Sequence, residues 1–266
     1  MDIVSGPAAS LAEILRGLVT TFGGLTLLLL GAAALVTAAI HGATGIAGGF
    51  LMAAILANVI GAKATVPVMS VALLISHSAR ALLNARGFDA RAFWIVSLPA
   101  VPAILVVAHL YVGMSPPAVA LVLGLVLLVA VAMRRWARVR AIRSGPGLLA
   151  SAGLGYGVLS GAAIGPGLLL SPFLLGFGLG REAFVATLAV IALMSNALRV
   201  GVFGATGLLP PDLAVLALLI GLVTVPGNWI GRTVLRAMSD ERHASLVDLF
   251  CLVGALNFFW LAFAES

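Results

Sequence analysis

Ten stretches of this chain are too apolar to face water, and eight of them are long enough to cross a bilayer. They run near 24–46, 64–84, 92–112, 117–135, 147–165, 183–205, 212–236 and 244–264, each bounded by charge or by Pro and Gly. A spanning helix needs about 20 apolar residues, so each of these runs predicts one crossing. Two shorter stretches, 48–61 and 167–179, follow Gly-rich breaks and are short for a straight crossing, which makes them half-helices or thin crossings. Composition agrees: 62% of the 266 residues are hydrophobic and 9% charged, against about 45–50% and about 25% in soluble domains. The predicted fold class is all-α, a polytopic membrane protein of about ten transmembrane segments. Ten spans leave only about 66 residues for termini and loops, too few for an extramembrane domain. Function is therefore expected within the membrane.

The formal net charge of +6 does not read as a nucleic-acid footprint, because the cations sit between hydrophobic runs instead of forming an arm or stripe. Cys251 is the single cysteine, so disulfides and thiolate clusters are excluded. The four histidines have no metal-ligand spacing, and neither metal nor cofactor is expected. Asp2 and Glu13 precede the first run without a basic n-region, so that run is expected to be a retained span and not a cleaved signal.

The chain repeats itself. A shift of 119 residues pairs Gly42 with Gly161, Gly48 with Gly167, Leu51 with Leu170, Gly61 with Gly180, Ser76 with Ser195 and Arg80 with Arg199. Later the offset is 124, pairing Val101-Pro102 with Val225-Pro226. Two repeats of five segments follow, 1–143 and 144–266, forming one membrane domain. The Arg134, Arg135, Arg138, Arg140 and Arg143 loop fixes the cytoplasmic side. Counting outward from it places Arg80, Arg86, Arg91 and the basic 232–242 region inside, and the 113–116 and 206–211 turns outside. Five crossings per half, an odd number, invert the second repeat and put both termini outside. If both short segments are re-entrant, the parity argument lapses.

Candidate chemistry lies at the repeated positions. Gly45-Ile46-Ala47-Gly48-Gly49 and Gly161 to Gly167, with Gly165-Pro166-Gly167 at its end, are backbone breaks. Such breaks present helix N-termini to anions near the midplane of inverted-repeat carriers, although small residues also serve close helix packing. Ser76-His77-x-x-Arg80 recurs as Ser195-Asn196-x-x-Arg199, which puts a polar side chain and a guanidinium on one helical face. Arg199 lies well inside an apolar span, where a cation costs about 2.5–3.5 kcal/mol, and no carboxylate is an evident partner. An anion or snorkelling to an interface would answer that cost. His41 ends the first span opposite Ser160 of the second repeat, placed to donate to an anion or take its proton, or simply to pack. Thr44, Ser171 and Thr187 offer further hydroxyls. His109 and His243 read as structural or interfacial, Trp94, Trp136 and Trp260 as belt residues, and Trp229 as a kink or gate residue.

The duplicated breaks, the Arg86-Gly87-Phe88-Asp89 turn and Pro226-Gly227-Asn228-Trp229-Ile230-Gly231-Arg232 together resemble the sulfite exporter TauE/SafE family, also called toluene-sulfonate uptake permeases. The resemblance spans nearly the whole chain. It implies a prokaryotic cytoplasmic-membrane carrier of small sulfur-containing anions such as sulfite, sulfonates or thiosulfate. The expected partners are that anion and the lipid bilayer, with no nucleic acid and a homo-oligomer left open. The expected substrate-binding set is Arg199, Arg80, Ser76, His77, Ser195, Asn196, His41, Thr44, Gly48, Gly49, Ser160, Gly165 and Gly167. The alternatives are a carrier of another small anion, a passive channel, or an intramembrane hydrolase using Ser160 or Ser195. The last lacks a Gly-x-Ser-x-Gly elbow.

Overall fold

Local chemistry marks where the helices start and stop. Pro116, Pro146 and Pro211 each open a helix, where the missing N–H costs nothing. Asp89 caps the helix after it by accepting from Ala92 N at 2.8 Å. At Gly61, φ of +81° lets the chain pass from one helix to the next through a single residue. Five prolines lie inside helices (Pro67, Pro99, Pro102, Pro172 and Pro226), as bilayer helices permit when neighbours satisfy the freed carbonyls.

The computed structural model describes residues 10–44, 47–139, 142–235 and 240–264. Among them there is no strand. The helices are α1 Leu11–Phe22, α2 Gly24–Thr44, α3 Ala47–Ile60, α4 Ala62–Leu83, α5 Ala90–Val112, α6 Pro116–Val139, α7 Pro146–Ala162, α8 Gly167–Gly176, α9 Arg181–Ala205, α10 Pro211–Leu235 and α11 Asp240–Ala264, with a 3-10 turn at Ala85–Gly87. All ten expected segments are helices. Seven of them (α2, α4, α5, α6, α9, α10 and α11) are long and apolar enough to cross a membrane, where the sequence led us to expect eight. The eighth run, 147–165, yields a shorter helix, because Ala163 turns to an extended conformation and Gly165 to φ of +90°. α8 has 10 residues, about 15 Å of helix.

α1 is a helix that run length does not reveal, because Glu13 and Arg16 interrupt the apolar run while falling on its outer face. It opens on a capping box: Glu13 N donates to Ser10 Oγ at 3.3 Å, and Ser10 N donates to Glu13 Oε2 at 2.7 Å. Hydrogen bonding from Ser10, its amide first and its hydroxyl second, holds the Glu13 carboxyl below its ordinary range. The helix packs on α10 and α2.

The helix contacts show a pairwise exchange. Exchanging α2 with α7, α3 with α8, α4 with α9, α5 with α10 and α6 with α11 turns the α2–α10 contact into the α7–α5 contact, and α4–α10 into α9–α5. The α4–α9 and α6–α11 contacts map onto themselves. Small residues set the closest approaches. A Cβ on Gly157 of α7 would lie 2.6 Å from Ala100 O of α5. On Gly227 of α10 it would lie 2.6 Å from Ala38 Cβ of α2, the position that corresponds to Gly157. Between α6 and α11, Arg135 Nε lies 3.5 Å from Asp248 Oδ2, so this carboxylate serves helix pairing and not Arg199.

Candidate functional site

The second break meets the start of α3: Gly165 faces Phe50, and a Cβ on that glycine would lie 3.3 Å from the ring. Around this meeting point the ends of α2 and α7, the starts of α3 and α8, and the middles of α4 and α9 enclose a cavity of about 60 Å³. That is room for a few waters or one small oxyanion. His41, Gly49, His77, Arg80, Ser160, Gly165, Gly167, Asn196 and Arg199 of the expected set all line it. Among the described residues no carboxylate does.

Both guanidiniums are fixed by neutral acceptors. Arg199 is 3% exposed; its Nη1 donates to Ala163 O at 2.8 Å and its Nη2 to Asn196 Oδ1 at 2.5 Å. Ala163 lies just past the end of α7, so the cation sits at the negative end of that helix. Arg199 Nε is buried without a hydrogen-bond partner among the described residues. Asn196 is itself positioned, Nδ2 donating to Ala192 O at 2.7 Å. In the other repeat Arg80 Nη1 lies 3.0 Å from His41 Nε2, and the rings of His41 and His77 meet edge-on with centroids 5.8 Å apart. The partner of Arg199 that the sequence left open is thus an amide and a backbone carbonyl, not an acid.

A profile of the family described as Sulfite exporter TauE/SafE matches residues 29–258. The chain belongs to this family. No curated protein and no solved structure gives a significant match. Membership in TauE/SafE makes the protein a membrane transporter by family, in keeping with its seven long apolar helices.

Other expected residues of this TauE/SafE protein lie outside the cavity wall. Ser76 turns toward α10, its hydroxyl accepting from Asn228 Nδ2 at 2.7 Å, and lines a second, smaller cavity of about 20 Å³. Gly48 is there too, and its missing side chain serves contact with α2: a Cβ would meet the Thr37 carbonyl and the His41 backbone. Ser195 stands behind the wall. It donates to Ile191 O at 2.8 Å and lies 3.0 Å from Tyr156 Oη, so the phenol is the donor to Ser195 and the serine proton is already spent on a carbonyl. That arrangement is unsuited to a serine nucleophile, which needs its proton on a base. The side chain of Thr44 and the Gly45–Ile46 break lie outside the described residues, as does the side chain of His243.

Ser171 bonds its own helix, donating to Gly167 O at 2.6 Å. Thr187 accepts from Asp89 N at 3.0 Å and ties the start of α5 to α9. His109 Nδ1 lies 2.8 Å from Leu105 O on an exposed face, in the structural role expected of it. Trp94, Trp136 and Trp260 are on the outer surface, and so is Trp229 at 74% exposure, which corrects its reading as a gate.

The start of α8 contributes less positive field than expected. Leu168 N donates to Gly165 O, and Leu169 N and Leu170 N to Pro166 O, so three amides at this end are already spent. The charge facing the cavity comes from the arginines.

Tyr156 was missed. It lines the cavity, and its place four residues before Ser160 on α7 was the available signal, since i and i+4 share a helical face. Replacing Tyr156 with Phe removes the donor to Ser195, an effect of about 1 kcal/mol. We expect the melting temperature in detergent to fall by about 2–4 °C; an unchanged value would remove the phenol–Ser195 bond from the packing of α7 on α9.

Proposed function

We propose that this protein is a secondary carrier, an exporter of small sulfur-containing anions such as sulfite or organosulfonates, bound in the cavity between the two breaks. One observation carries the reading: two guanidiniums, two histidines, Gly49 at the start of α3 and the Gly165-Pro166-Gly167 break converge on a space the size of one oxyanion. Arg199 and Arg80 supply charge, and Asn196, His77 and Ser160 supply directed hydrogen bonds. The pairwise exchange of helix contacts supports two repeats of five, and five crossings in each would invert the second. Rocking of one repeat against the other would open the site alternately to each side of the membrane. We place the 134–146 loop in the cytoplasm and both termini outside, with α3 and α8 crossing as thin segments, in a cytoplasmic membrane. An inside-negative potential favours the exit of an anion moving alone by about 2.3 kcal/mol per charge per 100 mV.

Flux in proteoliposomes tests this. Sulfite and methanesulfonate should move with saturation and counterflow, whereas chloride and sulfate should not compete at equal concentration. Non-saturating flux without counterflow would make the protein a channel, and no flux of any sulfur anion would remove the substrate assignment.

A further inference from the structure

The bond between Arg80 and His41 constrains a proton. A guanidinium has only donors, so the contact of 3.0 Å between Arg80 Nη1 and His41 Nε2 requires the imidazole nitrogen to accept with its lone pair. His41 is therefore neutral in this state, with its proton on Nδ1. Protonation at Nε2 would set N–H against N–H and cation against cation, so the bond and a charged His41 exclude each other.

An oxyanion in the cavity changes the balance. It offers Arg80 a charged acceptor, a stronger partner than a neutral imidazole. When Arg80 turns to the anion, the hydrogen bond to Nε2 breaks and that lone pair can form an N–H bond with a proton from water. The same anion favours the imidazolium beside it. Resting on the carrier reading above, we infer that His41 is a proton-coupling site: proton uptake at Nε2 and anion capture by Arg80 promote each other, and one proton accompanies each anion. Linkage makes the effect reciprocal.

The surroundings leave this role to His41. From α4 it faces His77 and Arg80, and across the cavity Arg199 of α9 and Tyr156 of α7. From α3 it meets Gly48 and Gly49, and from α10 Thr224 and Asn228, none of which titrates. α1, also packed on α2, carries Glu13 and Arg16, and neither lines either cavity. The second repeat has no equivalent device: Ser160 stands at the position of His41, Asn196 at that of His77, and Arg199 bonds an amide and a carbonyl, which do not titrate. A monoanion and its proton cross without net charge, so the membrane potential no longer drives exit, and export runs on the outward gradient of the anion together with the pH difference.

The test uses anions without a titratable proton near neutral pH, methanesulfonate and thiosulfate, and a pH dye inside proteoliposomes held at zero potential. Anion entry through the wild-type protein should acidify the lumen with about one proton per anion, and affinity should rise by up to about tenfold for each unit of external acidification. In His41→Gln the proton-to-anion ratio of whatever flux remains should fall to zero. In His77→Asn, which restores the residue of the second repeat, it should stay near one. Calorimetric titration of the wild-type protein in two buffers of different ionisation heat counts the same proton without any variant, and should find about one taken up per anion bound. Anion movement with no proton, or a ratio lost in His77→Asn and kept in His41→Gln, would overturn the proton site and leave the carrier standing. Movement of neither anion would remove the carrier reading and the proton site with it.

Discussion

Replacing Arg199 with glutamine should abolish sulfite transport while leaving the protein folded and inserted. Hydrogen bonds from a charged donor contribute about 1.5–3 kcal/mol each, so loss of even one to the anion weakens binding by roughly tenfold to more than a hundredfold. Stability should change far less, because two effects oppose. Removing a buried cation that has no carboxylate partner relieves its desolvation, whereas Ala163 O and Asn196 Oδ1 lose the donor they now share. Arg199→Lys keeps the charge but cannot bond both acceptors and the anion through one ammonium, so its flux should fall between the other two. Sulfite flux in Arg199→Gln equal to wild type, measured in proteoliposomes with matched protein incorporation, would remove this residue from the site.

The largest loss of stability is expected from Gly157→Val. Even the first added carbon would sit 2.6 Å from Ala100 O and 2.7 Å from Ala100 Cα. Both are backbone atoms of α5, which cannot rotate aside, so the two helices must part. Overpacking of this kind costs about 1–3 kcal/mol, and more where a whole helix has to shift. The displacement also reaches the cavity, because the same helix carries Tyr156 and Ser160 and ends at the carbonyl that holds Arg199. Melting in detergent should drop by several degrees and transport should be lost. Gly155, two residues earlier on the open face of α7, is the control: nothing lies within 4 Å of an added Cβ there, and alanine should be neutral or stabilising by about 0.5–1 kcal/mol. Equal melting temperatures for Gly157→Val and wild type would refute the close α5–α7 packing.

Much of the cavity lining was legible in the sequence. Nine of the thirteen expected residues line the cavity, because the duplication marked positions where both halves of the chain keep polarity inside an apolar run. The two serines that fell elsewhere share a cause. Ser76 and His77 are neighbours in sequence, yet one turns to Asn228 and the other to the cavity, since successive residues on a helix point about 100° apart. Which direction is inward depends on what packs there. Ser195 looks equivalent to Ser76 in sequence but meets Tyr156 of α7 where Ser76 meets α10.

Run length and composition are one-dimensional properties. They determined that the chain is a helical membrane protein and where its ten apolar segments lie, because a bilayer demands local satisfaction of every backbone bond. Only the tertiary structure decided that α7 stops at Ala162, that Arg199 rests on a carbonyl and an amide, and that Arg80 reaches His41. Residues 39 positions apart meet in that last pair. No pattern along a chain fixes such a meeting, because it depends on how helices rotate about their axes when small residues let them close on one another.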